Sequence, residues 1–222
     1  MEQKTLQKTI WERFTDDRLV LAGIKSDAYM QFLENLKNLS GQPGMSFTVE
    51  EGLEQVRSGD FVLLFSGMPG EADCWEQEIG LLEVFPVLLE KRPAAVLLMS
   101  GSEIYGKQYG QERALREEEI GYLCHTRQEE IPAQCMRTSE HFACRFAREN
   151  GLPVKIARMG GWPKDSDQIE GLLDMAVRVL LLGMPGEVYN LPDAGEEKDN
   201  GHSPLQAVPV RMNAEKAEAL AK

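Results

Sequence analysis

The chain has 222 residues, 42% hydrophobic and 27% charged, the balance of a folded globular protein with a sizeable core. Its 36 acidic against 24 basic residues give a formal net charge of −12, a surface sign that repels phosphate backbones and argues against nucleic acid as a partner. No stretch approaches the roughly eighteen apolar residues of a membrane span, and the polar start MEQKTLQKTIWERF holds no apolar secretory core, so a cytoplasmic address is expected.

Four cysteines (Cys74, Cys124, Cys135, Cys144) lack the paired spacing of a metal site. They read as free thiols in a reducing compartment, with no metal expected.

In chain order, residues 1–17 read as a leading helix with Ile10, Trp11 and Phe14 on its apolar side. Leu19 to Ala22 is a short strand candidate followed by Gly23. From Asp27 to Leu39 the apolar residues recur at helical spacing, with Ser26 or Asp27 as cap and the run Ser40-Gly41-Gln42-Pro43-Gly44 as breaker. Met45 to Val49 is a weaker strand, and Glu50 to Arg57 a short helix.

Phe61 to Phe65 is an almost wholly apolar strand running into Ser66-Gly67-Met68-Pro69-Gly70. A helical pattern spans Ala72 to Glu90, with Trp75, Ile79, Leu82, Phe85 and Leu89 on one side and Pro86 expected to kink or bound it. Ala95 to Met99 is a buried-type strand leading into Ser100-Gly101-Ser102-Glu103-Ile104-Tyr105-Gly106.

The charged stretch Lys107 to Glu130 reads as surface helix and loop. Gln134 or Cys135 to Asn150 is a helix stopped at Gly151. Pro153 to Ala157 is a strand, followed by Arg158-Met159-Gly160-Gly161-Trp162-Pro163. Gln168 to Leu182 is a helix and Glu187 to Asn190 a short closing strand. Residues 1–194 are expected to form a single domain, and 195–222 a charged, partly disordered tail.

Alternating strands and helices predict a layered α/β fold with right-handed crossovers. In such sheets ligands sit at the carboxyl ends of the strands, so Ser100, Ser102, Glu103, Tyr105 and Arg158 are candidate pocket residues. Arg158 reads as an anion receptor, as half of a buried ion pair or as an exposed charge. A nucleophile–base pair of Cys135 with His125 or His141 is disfavoured, because six residues do not place Cys135 and His141 on one helix face.

Three segments resemble the extended short-chain dehydrogenase/reductase superfamily, in its NAD-dependent epimerase/dehydratase branch acting on nucleotide sugars. They are AAVLLMSGSEIYG, HFACRFARENGLPVKIARMGGWP and LDMAVRVLLLGMPGEVYNLPDAG. The resemblance implies a Rossmann-like parallel sheet flanked by helices, here with a shortened first half and a reduced C-terminal substrate region. It also implies a homodimer through helix 136–149 and a nucleotide or sugar ligand.

The family's glycine-rich cofactor turn falls on Gly23, Ser26 and Tyr29, of which only Gly23 is glycine. A tyrosine at the third position is expected to crowd the helix–strand contact or the cofactor, and Asp27 to oppose a diphosphate. No cofactor is therefore expected. The family's catalytic hydroxyl falls on Gly101, beside Ser100 and Ser102. Its tyrosine–lysine pair falls on Pro132 and Met136, or in a shifted register on Cys135 and Ser139. Neither pair relays a proton as tyrosine and lysine do. The expectation is a pseudoenzyme acting as a partner or small-ligand module, with no catalytic residues. The alternative is an epimerase, dehydratase or reductase with atypical catalytic groups.

Overall fold

The computed structural model describes residues 10–66, 74–106, 114–160, 166–191 and 214–221. Six strands form one parallel sheet: β1 (Thr15–Gly23), β2 (Ser46–Glu51), β3 (Phe61–Phe65), β4 (Ala95–Gly101), β5 (Val154–Met159) and β6 (Val188–Asn190). Their spatial order is β2-β1-β3-β4-β5-β6. The helices are α1 (Asp27–Ser40), α2 (Cys74–Lys91), α3 (Ile131–Asn150), α4 (Ser166–Leu182) and the single turn α5 (Glu215–Glu218).

Strand periodicity sorts the core into two layers. Leu19, Leu21, Leu63, Phe65, Leu97, Met99, Ala157 and Met159 face one cluster with Tyr29 and Phe32 of α1 and Leu173 and Val177 of α4. Val20, Ala22, Val62, Leu64, Val96, Leu98, Val154 and Ile156 face the other, with Phe85 and Leu88 of α2 and Ala143 and Ala147 of α3. Both faces are covered, which is why these strands are apolar at every position instead of alternating. Each fully buried leucine or phenylalanine contributes about 2 kcal/mol.

The order places one strand, β2, outside β1, where the doubly wound dinucleotide fold places two. This is the shortened first half. The chain reverses direction of build between β1 and β3, and all six carboxyl ends lie on one edge.

Several boundaries differ from expectation. β1 starts at Thr15, inside the span read as a leading helix. Its first residues, Thr15-Asp16-Asp17-Arg18, are polar because this end of the strand is more exposed, and its pairing with β2 shifts register between Thr15 and Arg18. Trp11 and Phe14 are buried nonetheless, stacked or tilted against Phe47. β2 extends to Glu51, so the helix expected from Glu50 shrinks to a 3-10 turn at Leu53–Gln55.

Pro86 sits inside α2, which continues past it to Lys91; the apolar side read at Trp75, Ile79 and Leu82 lies outside the described side chains. No α-helix forms over 114–127, and Leu115 there is buried. The loops at 67–70 and 161–163 and most of the tail lie outside the described residues. Residues 214–221 pack onto the domain: Ala217 joins the α1/α4 core, and Lys216 donates to Glu187 Oε2 and Val188 O, both at 2.8 Å. Among the described residues no helix is long and apolar enough to cross a membrane.

Candidate functional site

The first β-to-α turn opens the crevice between β1 and β3. Gly23 has φ +102°, and a Cβ there would lie 2.2 Å from Phe65 O. Glycine is required because β1 and β3 approach each other here, with Ile24 N donating to Phe65 O at 3.0 Å. Ser26 then caps α1, its Oγ accepting from Tyr29 N at 3.2 Å. The amides of Asp27 and Ala28 have no partner within the helix by construction, and the positive end of α1 lies at the carboxyl edge of the sheet, just after β1.

Tyr29 does not crowd that opening. Its ring is 1% exposed, edge-on to Phe65 at 5.3 Å, and its hydroxyl donates to Leu21 O at 3.2 Å. The expectation of a tyrosine blocking the third glycine position is therefore corrected: the side chain turns down into the core. Burial, followed by the nearby Glu51 charge, pushes its hydroxyl well above the ordinary value.

Glu51, which the sequence reading passed over, ends β2 beside this turn. Its Oε1 lies 2.6 Å from Lys25 Nζ, and that hydrogen bond holds its carboxyl below the usual range. The parallel pairing of β2 with β1 sets Glu51 opposite Leu21, at the strand end from which such folds hold a ribose hydroxyl.

A second group of residues sits at the ends of β4, β5 and β6. Tyr105 is fully buried, its hydroxyl donating to Asn190 Oδ1 at 2.6 Å and accepting from Arg158 Nη1 at 2.9 Å. Arg158 also makes a bidentate pair with Glu140 of α3, Nε to Oε1 at 3.0 Å and Nη2 to Oε2 at 2.7 Å. Its Nη1 donates as well to Glu117 O, and Asn190 N donates to Glu117 Oε1 at 3.0 Å. Of the three readings of Arg158, the structure shows the buried ion pair: its guanidinium is held by Glu140, Tyr105 and Glu117. Burial raises the Tyr105 pKa, opposed by Arg158.

Ser102 and Glu103 lie in the 3-10 turn Ser102–Tyr105, and Ser100 is buried at the end of β4. Met136 belongs to a small cluster with Ile104, Tyr105 and Leu115. The first register of the absent tyrosine–lysine pair thus puts a thioether at this edge, where it relays no proton. Cys135 is buried, whereas His125 and His141 are exposed. The outward face of α3 carries Thr138, His141, Arg145, Arg148 and Glu149, with Arg145 paired to Glu149 at 2.9 Å.

No family model matches the chain, and no curated protein matches it. Solved structures do. UDP-N-acetylglucosamine 4-epimerase from Bacillus cereus superposes with a TM-score of 0.62 at 12% identity, covering 92% of each chain. WbmF from Bordetella bronchiseptica in complex with NADH gives 0.58 at 12% identity over 95% of this chain and 87% of that one. The dTDP-glucose 4,6-dehydratase from Bacillus anthracis in complex with NAD gives 0.59 at 14% identity over 91% and 89%. The fold is that of the NAD-dependent epimerases and dehydratases.

That finding overturns the expectation of no cofactor, since structures of this architecture carry NAD or NADH. The expectation rested on counting glycines. In the structure Tyr29 fits in the core, and Ser26 caps α1 by accepting from Tyr29 N. At this turn lie the α1 N-terminus, with Asp27 in its first turn, and Glu51, which Lys25 meets at 2.6 Å.

Proposed function

We propose that this chain binds a nucleotide or dinucleotide at the β1–β3 crevice and has given up the tyrosine–lysine hydride chemistry, serving as a ligand-responsive binding module. One juxtaposition carries the reading. At a single sheet edge the parts that grip a nucleotide are retained, namely the Gly23 turn, the α1 N-terminus and Glu51. At the same edge α3 presents Met136 to Gly101 and Tyr105, and Tyr105 itself is locked between Arg158 and Asn190. Binding and turnover need different residues, and among the described residues this edge carries the first set, which supports binding without that turnover.

Glu51 would accept from a ribose hydroxyl, and the Asp27 and Ala28 amides would meet a phosphate. Lys25 would exchange Glu51 for that phosphate as the ligand enters. Calorimetric titration of NAD+ into the full chain tests this. Binding is expected in the parent and is expected to weaken about tenfold in Glu51→Ala, the loss of a charged hydrogen bond. Absence of NAD+ and NADP+ binding would overturn the reading.

A second reading, an enzyme of this fold with relocated catalytic groups, is favoured by one observation: the unpartnered buried oxygen of Glu103 at the end of β4. Formation of product from a nucleotide sugar would decide for it.

A further inference from the structure

β6 is the outer strand at its end of the sheet and is three residues long. It is joined to β5 through Glu187 O, which accepts from Ile156 N, and Leu191 N, which donates to Arg158 O. The groups on its other side would form an open edge, a template for unwanted pairing. Two charged side chains close it, each matched to the group it meets. Lys216 Nζ donates to Val188 O at 2.8 Å, and Glu117 Oε1 accepts from Asn190 N at 3.0 Å. The cation comes from the C-terminal segment 214–221 and the anion from the segment 115–121, so two distant parts of the chain grip one short strand.

Each grip has further anchors. The C-terminal segment packs on α4 and β6, with Ala217 fully buried and Leu220 against the same core. Lys216 Nζ also meets Glu187 Oε2 at 2.8 Å and lies 4.6 Å from the Tyr189 ring centroid, a cation–π contact. On the other side, Asn190 is fully buried. Its side chain accepts from the Tyr105 hydroxyl at 2.6 Å and donates to Leu115 O at 3.0 Å. Gly121 N donates to Tyr105 O at 2.8 Å, and Arg158 Nη1 donates to Glu117 O at 2.8 Å. Residues 115–121 are thereby tied to Tyr105, Arg158 and Asn190, and two of those ties end on the last residue of β6.

We propose that the C-terminal segment 214–221 is a latch on β6, and that its release lets residues 115–121 lift from the Tyr105–Arg158 network. A strand this short, paired on one side, holds its place only with outside support. Latched, β6 presents Asn190 to Glu117 and Leu115 together, and Arg158 stays covered. Released, β6 frays from its outer side, Asn190 loses its fixed position, and its bonds to 115–121 are lost as a unit. Such an opening costs less than unfolding the sheet. The latch does not depend on what binds at the β1 turn; it sets how often the β4–β6 end of the same edge stands open.

Amide hydrogen exchange on the full chain, resolved residue by residue, tests it. In the parent, Asn190 and Gly121 should share one level of protection, lower than that of Leu63 and Leu64 in β3. Lys216→Met removes the charge but keeps an apolar stem on Tyr189. It should speed exchange at both Asn190 and Gly121 about tenfold, the loss of one charge-assisted hydrogen bond. Ala217→Asp releases the latch at a different contact and should speed the same two amides. Faster exchange confined to 214–221 in both variants would overturn the proposal, as would a rise at Asn190 without one at Gly121. Protection at Asn190 and Gly121 equal to that of β3 in the parent would overturn it too, since no separate opening would then exist.

Discussion

Removing Glu140 should destabilise the protein more than removing the whole ion pair it belongs to. The two side chains are 3% and 7% exposed, so water cannot take over when one is lost. In Glu140→Ala, Arg158 keeps the Tyr105 hydroxyl and the Glu117 carbonyl but no compensating charge. An orphaned buried charge of this kind costs about 3–5 kcal/mol, a large share of the roughly 5–15 kcal/mol that holds a domain folded. Replacing both residues, as in Glu140→Leu with Arg158→Met, removes the uncompensated charge and leaves only lost hydrogen bonds and imperfect packing. The double variant should therefore be more stable than Glu140→Ala. Urea unfolding at a common slope gives the numbers, and the double-mutant cycle gives the coupling. A cost under about 1 kcal/mol for Glu140→Ala, or a double variant less stable than the single, would refute the reasoning.

Three further substitutions probe separate features. Gly23→Ala places a methyl at φ +102° against Phe65 O and should cost at least about 2–3 kcal/mol in urea unfolding. Ser26→Ala removes the α1 cap and should cost about 1 kcal/mol by the same assay. Lys155 is buried on β5 with its Nζ on Leu180 O near the C-terminal end of α4, and burial lowers its pKa from 10.5 to about 8. Between those values the unfolded chain binds more protons than the folded one, so this residue's contribution to stability rises with pH across that window. The penalty is fully present below pH 8 and is on the order of 3 kcal/mol. Lys155→Met should thus stabilise the protein at pH 7, by less than that figure because the Leu180 carbonyl loses its donor. Its advantage should shrink as pH rises toward 10, read as the difference in urea midpoints.

The parts legible in the sequence were those whose cause is local. Phe61–Phe65 was read to the residue and Ala95–Gly101 nearly so, because strands buried on both faces are continuously apolar. The helix start was legible to within one residue, at Ser26 or Asp27, and the stop at Gly151, because a cap and a left-handed residue act within one turn; the cap is Ser26, and Gly151 has φ +66°. The polar start of β1 was missed because its exposed end carries charge where an interior strand would not.

Glu51 was missed for a different reason. Its place at the crevice follows from the parallel pairing of β2 with β1, which sequence spacing does not encode. The Tyr105–Arg158–Glu140–Asn190 network joins residues 18 to 85 positions apart, and only the sheet order brings them together. Tyr29 shows the same limit in reverse. Its identity argued against a cofactor, yet its direction, set by packing on Phe65, leaves the opening clear. The orphaned oxygen of Glu103 depends on the empty space at Gly101, which no residue pattern reveals.

The central claim is that nucleotide binding survives here without hydride transfer. Its most direct test is to saturate the chain with NAD+, verified by calorimetry, then add UDP-glucose and follow reduced-nicotinamide absorbance together with the products. Bound dinucleotide, no reduced nicotinamide and unchanged sugar nucleotide are the expected result. Reduction of the nicotinamide, or conversion of the sugar, would contradict it.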